Sequence, residues 1–277
     1  MEDAIAVENV WADLSSIPPD PPRMRNICSR CNRPSAVCWC PFLPATRLKT
    51  HSRLVVLQHP AEERRCLRTV PMLMQSLEPG SCVIYKGKKF PTNSQELNRC
   101  GSLYEILSSQ DSILLYPSKE AKDISEVVGK GLQRPRNLIV IDGTWDQARS
   151  IYYNSPMLKN LNQVKLSMGS ASEYVIRTQP SEGCLSTLEA AAQALSIMED
   201  RPSMRQELLA PLHALCSFQL LHGAVSHQSK QFLVHLDAYN KPVGKRTRKL
   251  LRQSAGEVRA NKEALAPHIQ HFNLDSR

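Results

Sequence analysis

The sequence predicts a mainly parallel α/β fold. Short apolar runs with the length of buried strands recur along the chain, and segments with helical patterns lie between them. Strands that alternate with helices are typical of a parallel sheet covered by helices. The 277 residues, 42% of them hydrophobic, can form one large core and a small additional module.

The first two predicted strands come from two separate apolar runs. Residues 54–57 form the first strand, and residues 62–77 follow as a helical segment that Pro71 is expected to kink. Residues 82–85 form the second strand, which Gly87 ends.

Two further strands are predicted at residues 112–116 and 138–141. Both end in small or polar residues, which suit a ligand crevice at the carboxyl ends of parallel strands. Residues 147–161 are predicted as a helix interrupted near Pro156, and residues 164–166 as another strand.

The last predicted elements are mainly helical. Arg177-Thr178-Gln179-Pro180 is expected to form a loop, and residues 185–198 a helix. This helix begins with Ser186-Thr187-Leu188-Glu189, a pattern that resembles a capping box. The final helix is predicted at about residues 204–222.

The positive charge of the chain is concentrated in one region. The net charge is +9, and residues 241–259 contain seven basic residues against one acidic residue. Residues 1–20 contain five acidic residues and no basic one. A local basic excess favours a polyanionic partner such as a nucleic acid.

The sequence contains no targeting or membrane segment of the usual kinds. No run approaches the roughly 20 apolar residues that a membrane span requires, and the acidic N-terminus lacks the apolar core of a secretory signal. The odd number of cysteines, nine, fits a reducing compartment. We therefore expect a protein of the cytoplasm, the nucleus or both, without a membrane partner.

Four cysteines fall within thirteen residues and have the spacing of metal ligands. They are Cys28, Cys31, Cys38 and Cys40. A Cys-x-x-Cys pair followed by a second close pair can supply the four thiolates of a structural zinc site. A turn with free thiols is the alternative, and a thioredoxin-like redox pair is disfavoured because no βαβ pattern surrounds it.

The strand at residues 138–141 leads directly into Asp142-Gly143-Thr144-Trp145. A carboxylate, a hydroxyl and an indole are thus delivered to one sharp turn beyond a strand end, where ligands of parallel sheets bind. The alternative is an ordinary strand end with a helix-capping residue and a core tryptophan. The spacing alone leaves both interpretations open.

Several motifs occur together in one order. They are Cys-x-x-Cys with Cys-x-Cys, Leu57-Gln58-His59-Pro60 with Glu63, Leu115-Tyr116-Pro117-Ser118, Asp142-Gly143-Thr144-Trp145, Arg177-Thr178-Gln179-Pro180 and Ser186-Thr187-Leu188-Glu189-Ala190. With these motifs, over roughly residues 25–225, the chain resembles the DTW-domain family of tRNA-uridine aminocarboxypropyltransferases. It departs from many relatives at Thr178-Gln179, where they have a basic residue and a glutamate.

The resemblance implies an activity and a fold. The activity is transfer of the 3-amino-3-carboxypropyl group of S-adenosylmethionine to N3 of a uridine in tRNA. The fold is a SPOUT-like parallel α/β domain with a deep trefoil knot near the cofactor, beside a small N-terminal zinc module with four cysteine ligands. Periodicity reveals no knot, so this feature depends entirely on the resemblance.

The resemblance also implies a cofactor site. Trp145 and Ala148 are expected to wall off the methyl group of S-adenosylmethionine. Leu115, Tyr116 and Pro117 are expected to pack against its adenine. An indole beside a sulfonium is further favoured by cation–π attraction.

Asp142 is the candidate catalytic carboxylate, with Thr144 and Trp145 beside it. Asp142 is expected to accept the N3 proton of uridine or orient the base, or instead to hold the ribose of the cofactor and bind rather than catalyse. Thr144 is either a hydrogen-bond donor to the substrate or a helix cap.

Four residues are predicted to bind the substrate. Arg177 is expected to hold the transferred carboxylate or an RNA phosphate, since guanidinium suits oxyanions; a solvated loop arginine is the alternative. Ser186, Thr187 and Glu189 line the active site by resemblance, although the pattern alone indicates only a helix N-terminus.

Four regions follow from these motifs: a disordered leader at 1–22, the four-cysteine zinc module at 23–50, the catalytic domain at 51–235 and a basic tail at 236–277.

Two other functions remain open. A SPOUT-type RNA methyltransferase would use the same cofactor but deliver the methyl carbon. A non-catalytic zinc-containing RNA-binding protein would use the cysteines and the tail, but it leaves the Asp142–Trp145 turn unexplained. The sequence does not indicate an oligomeric state.

Overall fold

The computed structural model describes residues 26–91, 101–128, 136–167, 171–181, 183–236 and 238–239. The predicted leader at 1–22 lies outside these ranges, as does the predicted basic tail except for residues 236, 238 and 239. The chain divides after Cys38 into two compact units. The boundary predicted at residues 50 and 51 stays a prediction.

In the first unit, the described residues 26–38 form a tight reversal of the chain. The amide of Cys28 donates to the carbonyl of Arg33 over 2.8 Å, and the amide of Asn32 donates to Cys28 over 2.9 Å. Asn32 has a φ of 55°, a left-handed conformation that Asn tolerates better than most residues. Ile27 and Pro34 form an antiparallel bridge across this reversal.

The second unit is built on a six-stranded sheet in which every pairing is parallel. The strands are β1 (Arg53–Gln58), β2 (Cys82–Lys86), β3 (Ser112–Leu115), β4 (Lys122–Asp123), β5 (Asn137–Asp142) and β6 (Asn162–Lys165). Their order across the sheet is β2-β1-β5-β3-β6-β4. The predicted parallel α/β fold is confirmed.

The central strands are apolar because both faces of the sheet are covered. In β5, Leu138 and Ile139 are fully buried although successive side chains point to opposite faces. The same holds for Val55 and Val56 in β1. Continuous apolar runs, rather than alternating ones, are typical of such strands.

Eight helices connect and cover the strands among the described residues. They are α1 (Val70–Ser76), α2 (Gly101–Ser108), α3 (Ile124–Val128), α4 (Trp145–Asn154), α5 (Pro156–Asn160), α6 (Thr187–Met198), α7 (Ser203–Leu221) and α8 (Lys230–His235). Side chains from α2, α4 and α5 pack on one face with Val55 and Ile139. Helix α6 packs against β5 and α7.

The prediction of a helix over residues 62–77 was wrong in its first half. Residues Pro60–Arg64 form a short 3-10 turn, and α1 begins only at Val70. Pro71 lies in the first turn of α1 and does not kink it, because a helix does not use the amide hydrogens of its first turn.

The other predicted elements agree with the structure to within a few residues. Strand β6 begins two residues before the predicted strand at 164–166, and α7 covers the predicted final helix. Strand β4 and the helices α2, α3 and α8 were not predicted; β4 has only two residues. Within the described ranges, no helix combines the length and apolar character needed to cross a membrane.

Candidate active site

The carboxyl ends of β1 and β5 lie side by side. Gln58, the last residue of β1, is in register with Asp142, the last residue of β5. The amide of His59 donates to the carbonyl of Asp142 over 2.9 Å, so the pairing continues one residue beyond β1. This edge of the sheet is where a parallel fold forms a ligand crevice.

Asp142 is a buried carboxylate with a fixed orientation. Its residue is 7% exposed, and its Oδ2 accepts a hydrogen bond from Nε2 of Gln58 over 2.8 Å. The sequence predicted Asp142 in the turn after the strand, whereas it is the last residue of β5. The backbone of Asp142 is therefore fixed by the sheet and not by a loop.

Gly143 and Thr144 form the turn between β5 and α4. A Cβ atom on Gly143 would lie 3.1 Å from Cβ of Gln147, so a larger residue here would require Gln147 to shift by a few tenths of an ångström. Oγ1 of Thr144 accepts from the amide of Gln147, and Oε1 of Gln147 accepts from the amide of Thr144. Thr144 is therefore the N-cap of α4 in a capping box.

Trp145 and Ala148 are on the first turn of α4. The indole of Trp145 is 41% exposed, which is unusual for so large an apolar side chain, while Ala148 is buried. The tryptophan is thus not the core residue that one interpretation of the sequence required. Its ring is accessible to a ligand beside Asp142.

Leu115 ends the neighbouring strand β3, and Tyr116 and Pro117 follow it. Strand β3 pairs with β5, so this segment leaves the sheet at the same edge as Asp142. The ring of Tyr116 stacks on that of Tyr152 with centroids 4.1 Å apart. Burial raises the pKa of Tyr116, which is half-buried, whereas Pro117 is exposed.

An exposed aromatic and basic surface continues from Trp145 along α4. Trp145, Arg149 and Tyr153 recur every four residues and share one face of the helix, which we call the α4 stripe. Tyr153 is 62% exposed, and Nζ of Lys159 lies 5.4 Å from its ring centroid. Such a surface offers ring faces and cations together.

Glu62 is a residue of this region that the sequence analysis missed. It lies in the 3-10 turn that follows β1 and is 7% exposed. Burial raises its pKa above the usual 4.5; Arg65 and Arg177 oppose this rise, and the negative charge of Asp142 adds to it. Glu62, Asp142 and Arg177 are thus close enough for their charges to interact.

The motif in the sequence pointed to the neighbouring Glu63 instead. Glu63 is half exposed, and its Oε1 accepts from Nζ of Lys86 over 2.6 Å, which lowers the pKa of Glu63. The sequence did contain a signal for the burial of Glu62. An acid two residues after the His-Pro pair that ends a buried strand can turn back toward the end of that strand.

Ser186, Thr187 and Glu189 form the N-terminus of α6. Ser186 is its N-cap, and Thr187 is half-buried. The carboxylate of Glu189, 1% exposed, accepts from the amides of Ser186 and Glu173 and from the hydroxyl of Ser172. Glu189 therefore anchors the loop at residues 171–181, and its predicted substrate contact stays a prediction.

Arg177 lies in the loop that Glu189 anchors. Its amide donates to the carbonyl of Tyr174 over 3.2 Å, and its side chain is half-buried. Tyr174 is 1% exposed and donates from its hydroxyl to the carbonyl of Leu67 over 3.0 Å. The loop of Arg177 is thereby joined to the segment that follows Glu62.

The four clustered cysteines meet the geometry of a metal site. The sulfur atoms of Cys28, Cys31, Cys38 and Cys40 lie within 4.8 Å of one another, and those of Cys31 and Cys38 are 3.6 Å apart. A tetrahedral zinc with Zn–S bonds of about 2.3 Å places its sulfurs about 3.8 Å apart. The cluster fits this ion.

Cys28 is also prepared to act as a thiolate ligand. Hydrogen bonds from the backbone at Cys31 and Arg30, and then from the side chain of Cys38, lower its pKa from 9.0 to about 6. A metal binds the thiolate form, so a lowered pKa favours ligation near neutral pH. Four protein ligands leave no open position for a substrate, which is typical of a structural site.

A separate cavity of about 550 Å³ lies at the opposite, amino-terminal edge of the sheet. Its lining includes Arg53, Arg136 and Asn137, and it contains none of the predicted site residues. Arg136 already pairs with Asp111 at 3.9 Å. Asp142, Trp145 and the segment that leaves β3 lie at the carboxyl edge instead.

Comparison with known proteins identifies the family of the chain. A family model described as the DTW domain matches residues 25–220. The chain is 52% identical to tRNA-uridine aminocarboxypropyltransferase 2 of Drosophila melanogaster, over 90% of this chain and 96% of that protein. It is 42% identical to the protein of the same name from Macaca fascicularis, over 90% of this chain and 80% of the relative. It is 29% identical to tRNA-uridine aminocarboxypropyltransferase A of Arabidopsis thaliana, over 70% and 81%. No solved structure matches the chain. By its matched domain and its relatives, the chain belongs to the DTW-domain family.

Proposed function

We propose that this protein is a tRNA-uridine aminocarboxypropyltransferase that transfers the 3-amino-3-carboxypropyl group of S-adenosylmethionine to N3 of a uridine. The observation that carries the proposal is the identity of 42% and 52%, over 90% of the chain, to relatives named for this activity. The buried carboxylate and exposed indole at the end of β5 support it.

S-adenosylmethionine supplies an electrophilic carbon bound to a sulfonium. In the reaction, a bond forms between N3 of uridine and this carbon, the carbon–sulfur bond breaks and its electron pair goes to sulfur. The N3 proton goes to a base, and methylthioadenosine leaves. Asp142 is our candidate for that base, because Gln58 holds its carboxylate in one orientation.

Trp145 and its neighbours would select the carbon that is transferred. The exposed indole offers a face for cation–π attraction to the sulfonium. The small side chain of Ala148 would line the site beside the sulfonium. Leu115, Tyr116 and Pro117 would receive the adenine. Orientation decides the product, because the carbon in line with N3 is the one that reacts.

The α4 stripe supports tRNA as the substrate. Stacking of bases on aromatic rings and attraction of phosphates to Arg and Lys are the usual means of binding unpaired RNA. Trp145, Arg149 and Tyr153 provide both, starting beside Asp142. Ser186 and Thr187 are proposed to contact the uridine or the cofactor.

Three further properties belong to the proposal. The cysteine cluster holds a structural zinc, which its sulfur spacing supports. The domain has the knotted SPOUT-like fold, which is supported by the insertion of the late strand β5 between β1 and β3. The protein acts in the cytoplasm, the nucleus or both, as its odd number of cysteines suggests.

The test is incubation of the purified protein with S-adenosylmethionine and unmodified tRNA, followed by digestion and mass measurement of the nucleosides. We expect a uridine that gains the aminocarboxypropyl mass. Asp142→Asn should lower the rate by about 100-fold or more, while Asp146→Asn, which changes an exposed acid nearby, should not. A gain of one methyl group would indicate a methyltransferase, and no gain across a varied tRNA pool would contradict catalysis.

A further inference from the structure

We propose that Glu62 and Arg177 together bind the charged end of the group that is transferred: Glu62 accepts hydrogen bonds from its ammonium and Arg177 pairs with its carboxylate. The inference rests on the proposed function, and it assigns the two residues that recognise the amino-acid part of S-adenosylmethionine. The donor's reacting carbon is two bonds away from the α-carbon that carries both charged groups, so their recognition also orients the reaction.

Glu62 is a buried acid whose hydrogen bonds are incomplete. Its residue is 7% exposed, and within the described part of the chain its Oε1 accepts no hydrogen bond. Nε of Arg65 lies 3.1 Å from this oxygen, within ion-pair distance, but its N–H is not directed at the oxygen. Burying a carboxylate in this way is costly, so a ligand that supplies donors would stabilise it.

Arg177 provides the opposite charge close by. Its loop is fixed by the carboxylate of Glu189 and is tied, through the hydroxyl of Tyr174, to the carbonyl of Leu67 just after the turn of Glu62. The positive charge of Arg177 also acts on the carboxyl of Glu62. A hydrogen bond thus joins the loop that carries Arg177 to the chain five residues after Glu62.

The balance of charge in this region fits a zwitterion. Among the charges that act on the carboxyl of Glu62, one comes from the acid Asp142 and two come from the bases Arg65 and Arg177. An ammonium and a carboxylate entering together add one charge of each sign and leave the balance unchanged. A bidentate guanidinium suits the carboxylate, whereas the ammonium requires acceptor oxygens.

Other acids of the region are less suited to the ammonium. The carboxylate of Glu189 is engaged by Ser172, Glu173 and Ser186, and Glu63 is exposed and paired with Lys86. Asp142 already accepts from Gln58 and is three residues before Trp145, beside which the sulfonium is expected. Among the acids that the structure describes, Glu62 is the one with a buried side-chain oxygen that accepts no hydrogen bond.

Two probes that share adenosine and a thioether test this assignment. S-adenosylhomocysteine carries the amino-acid end, and methylthioadenosine does not. Calorimetry on the full chain should show that Glu62→Gln lowers the affinity for S-adenosylhomocysteine by about 10- to 100-fold. The affinity for methylthioadenosine should not change. Arg177→Gln should give the same pattern, and Glu63→Gln, the matched exposed neighbour, should change neither.

A second comparison isolates the ammonium. The analogue of S-adenosylhomocysteine that lacks the α-amino group should bind wild type and Glu62→Gln equally. The assignment is overturned if Glu62→Gln binds S-adenosylhomocysteine as tightly as wild type does. It is also overturned if Glu62→Gln lowers the affinity for both probes equally. If wild type binds neither probe, the proposed donor itself is contradicted. Thermal unfolding of each variant identifies any that does not fold, and Glu62→Asp then takes the place of Glu62→Gln.

Discussion

Gln58 donates a hydrogen bond to Asp142 over 2.8 Å at the last register position shared by β1 and β5. Both residues are buried, with exposures of 5% and 7%. Two adjacent parallel strands therefore position the candidate catalytic carboxylate. A carboxylate held in this way can accept a proton from a substrate without first being reoriented.

Replacing Gln58 by Met should weaken both the fold and the activity. The substitution keeps the length of the side chain but removes a hydrogen bond to a buried carboxylate, which costs about 1.5–3 kcal/mol. Urea denaturation and turnover with tRNA measure the two effects. Gln206→Met, at an exposed position on α7, should leave both unchanged. Full activity of Gln58→Met would show that Asp142 needs no such support.

Glu62 and Glu63 should affect the pH dependence of stability in opposite directions. Burial raises the folded-state pKa of Glu62 above 4.5, so the folded state binds more protons and stability falls as the pH rises from 4.5 through that pKa. Glu62→Gln should remove this fall and make the protein more stable at pH 7.

The hydrogen bond with Lys86 lowers the pKa of Glu63 below 4.5. Its stabilising contribution is therefore present above pH 4.5 and lost as the pH falls through the folded-state pKa, and Glu63→Gln should abolish it. Chemical denaturation of both variants and wild type over this pH range measures the two slopes. Equal slopes for both variants would contradict the burial of Glu62.

Zinc binding should depend on the four clustered cysteines and not on the other cysteines of the chain. We expect about one zinc ion per chain by elemental analysis, and its loss on Cys31→Ser or on treatment with a strong chelator. Cys66→Ser changes an exposed cysteine outside the cluster and should keep the metal. Binding of S-adenosylhomocysteine should survive zinc loss if the site is structural. Zinc retained by Cys31→Ser would exclude the four-cysteine site.

The α4 stripe should contribute to tRNA affinity but not to donor affinity. Tyr153→Ala should weaken tRNA binding by about 1–3 kcal/mol if one base stacks on its ring. Arg149→Ala should lower the slope of log affinity against log salt by about 1 if it contacts one phosphate. Filter binding at several salt concentrations measures both effects. Tyr104→Ala, which removes an exposed ring from α2, is the control.

The strands and the turn at Asp142 could be predicted because their signals are local. Residues 138–141 are apolar and bounded by polar residues, and Asp142 follows them directly. The cysteine spacing likewise predicted a cluster whose sulfurs do lie together. The capping box of Thr144 and Gln147 is also local, since the two residues are three apart, yet only the structure decided that Thr144 caps α4.

The sequence by itself determined the parallel α/β class, the residues at the end of β5 and the four clustered cysteines, because periodicity, strand length and ligand spacing act over a few residues. Only the tertiary structure decided the strand order, with β5 between β1 and β3, and the burial of Glu62 rather than Glu63. It also decided that Glu189 anchors the loop of Arg177. These features depend on contacts between segments far apart in the chain. Such contacts outweigh the local conformational preferences, and neither segment alone shows a sequence pattern that would predict them.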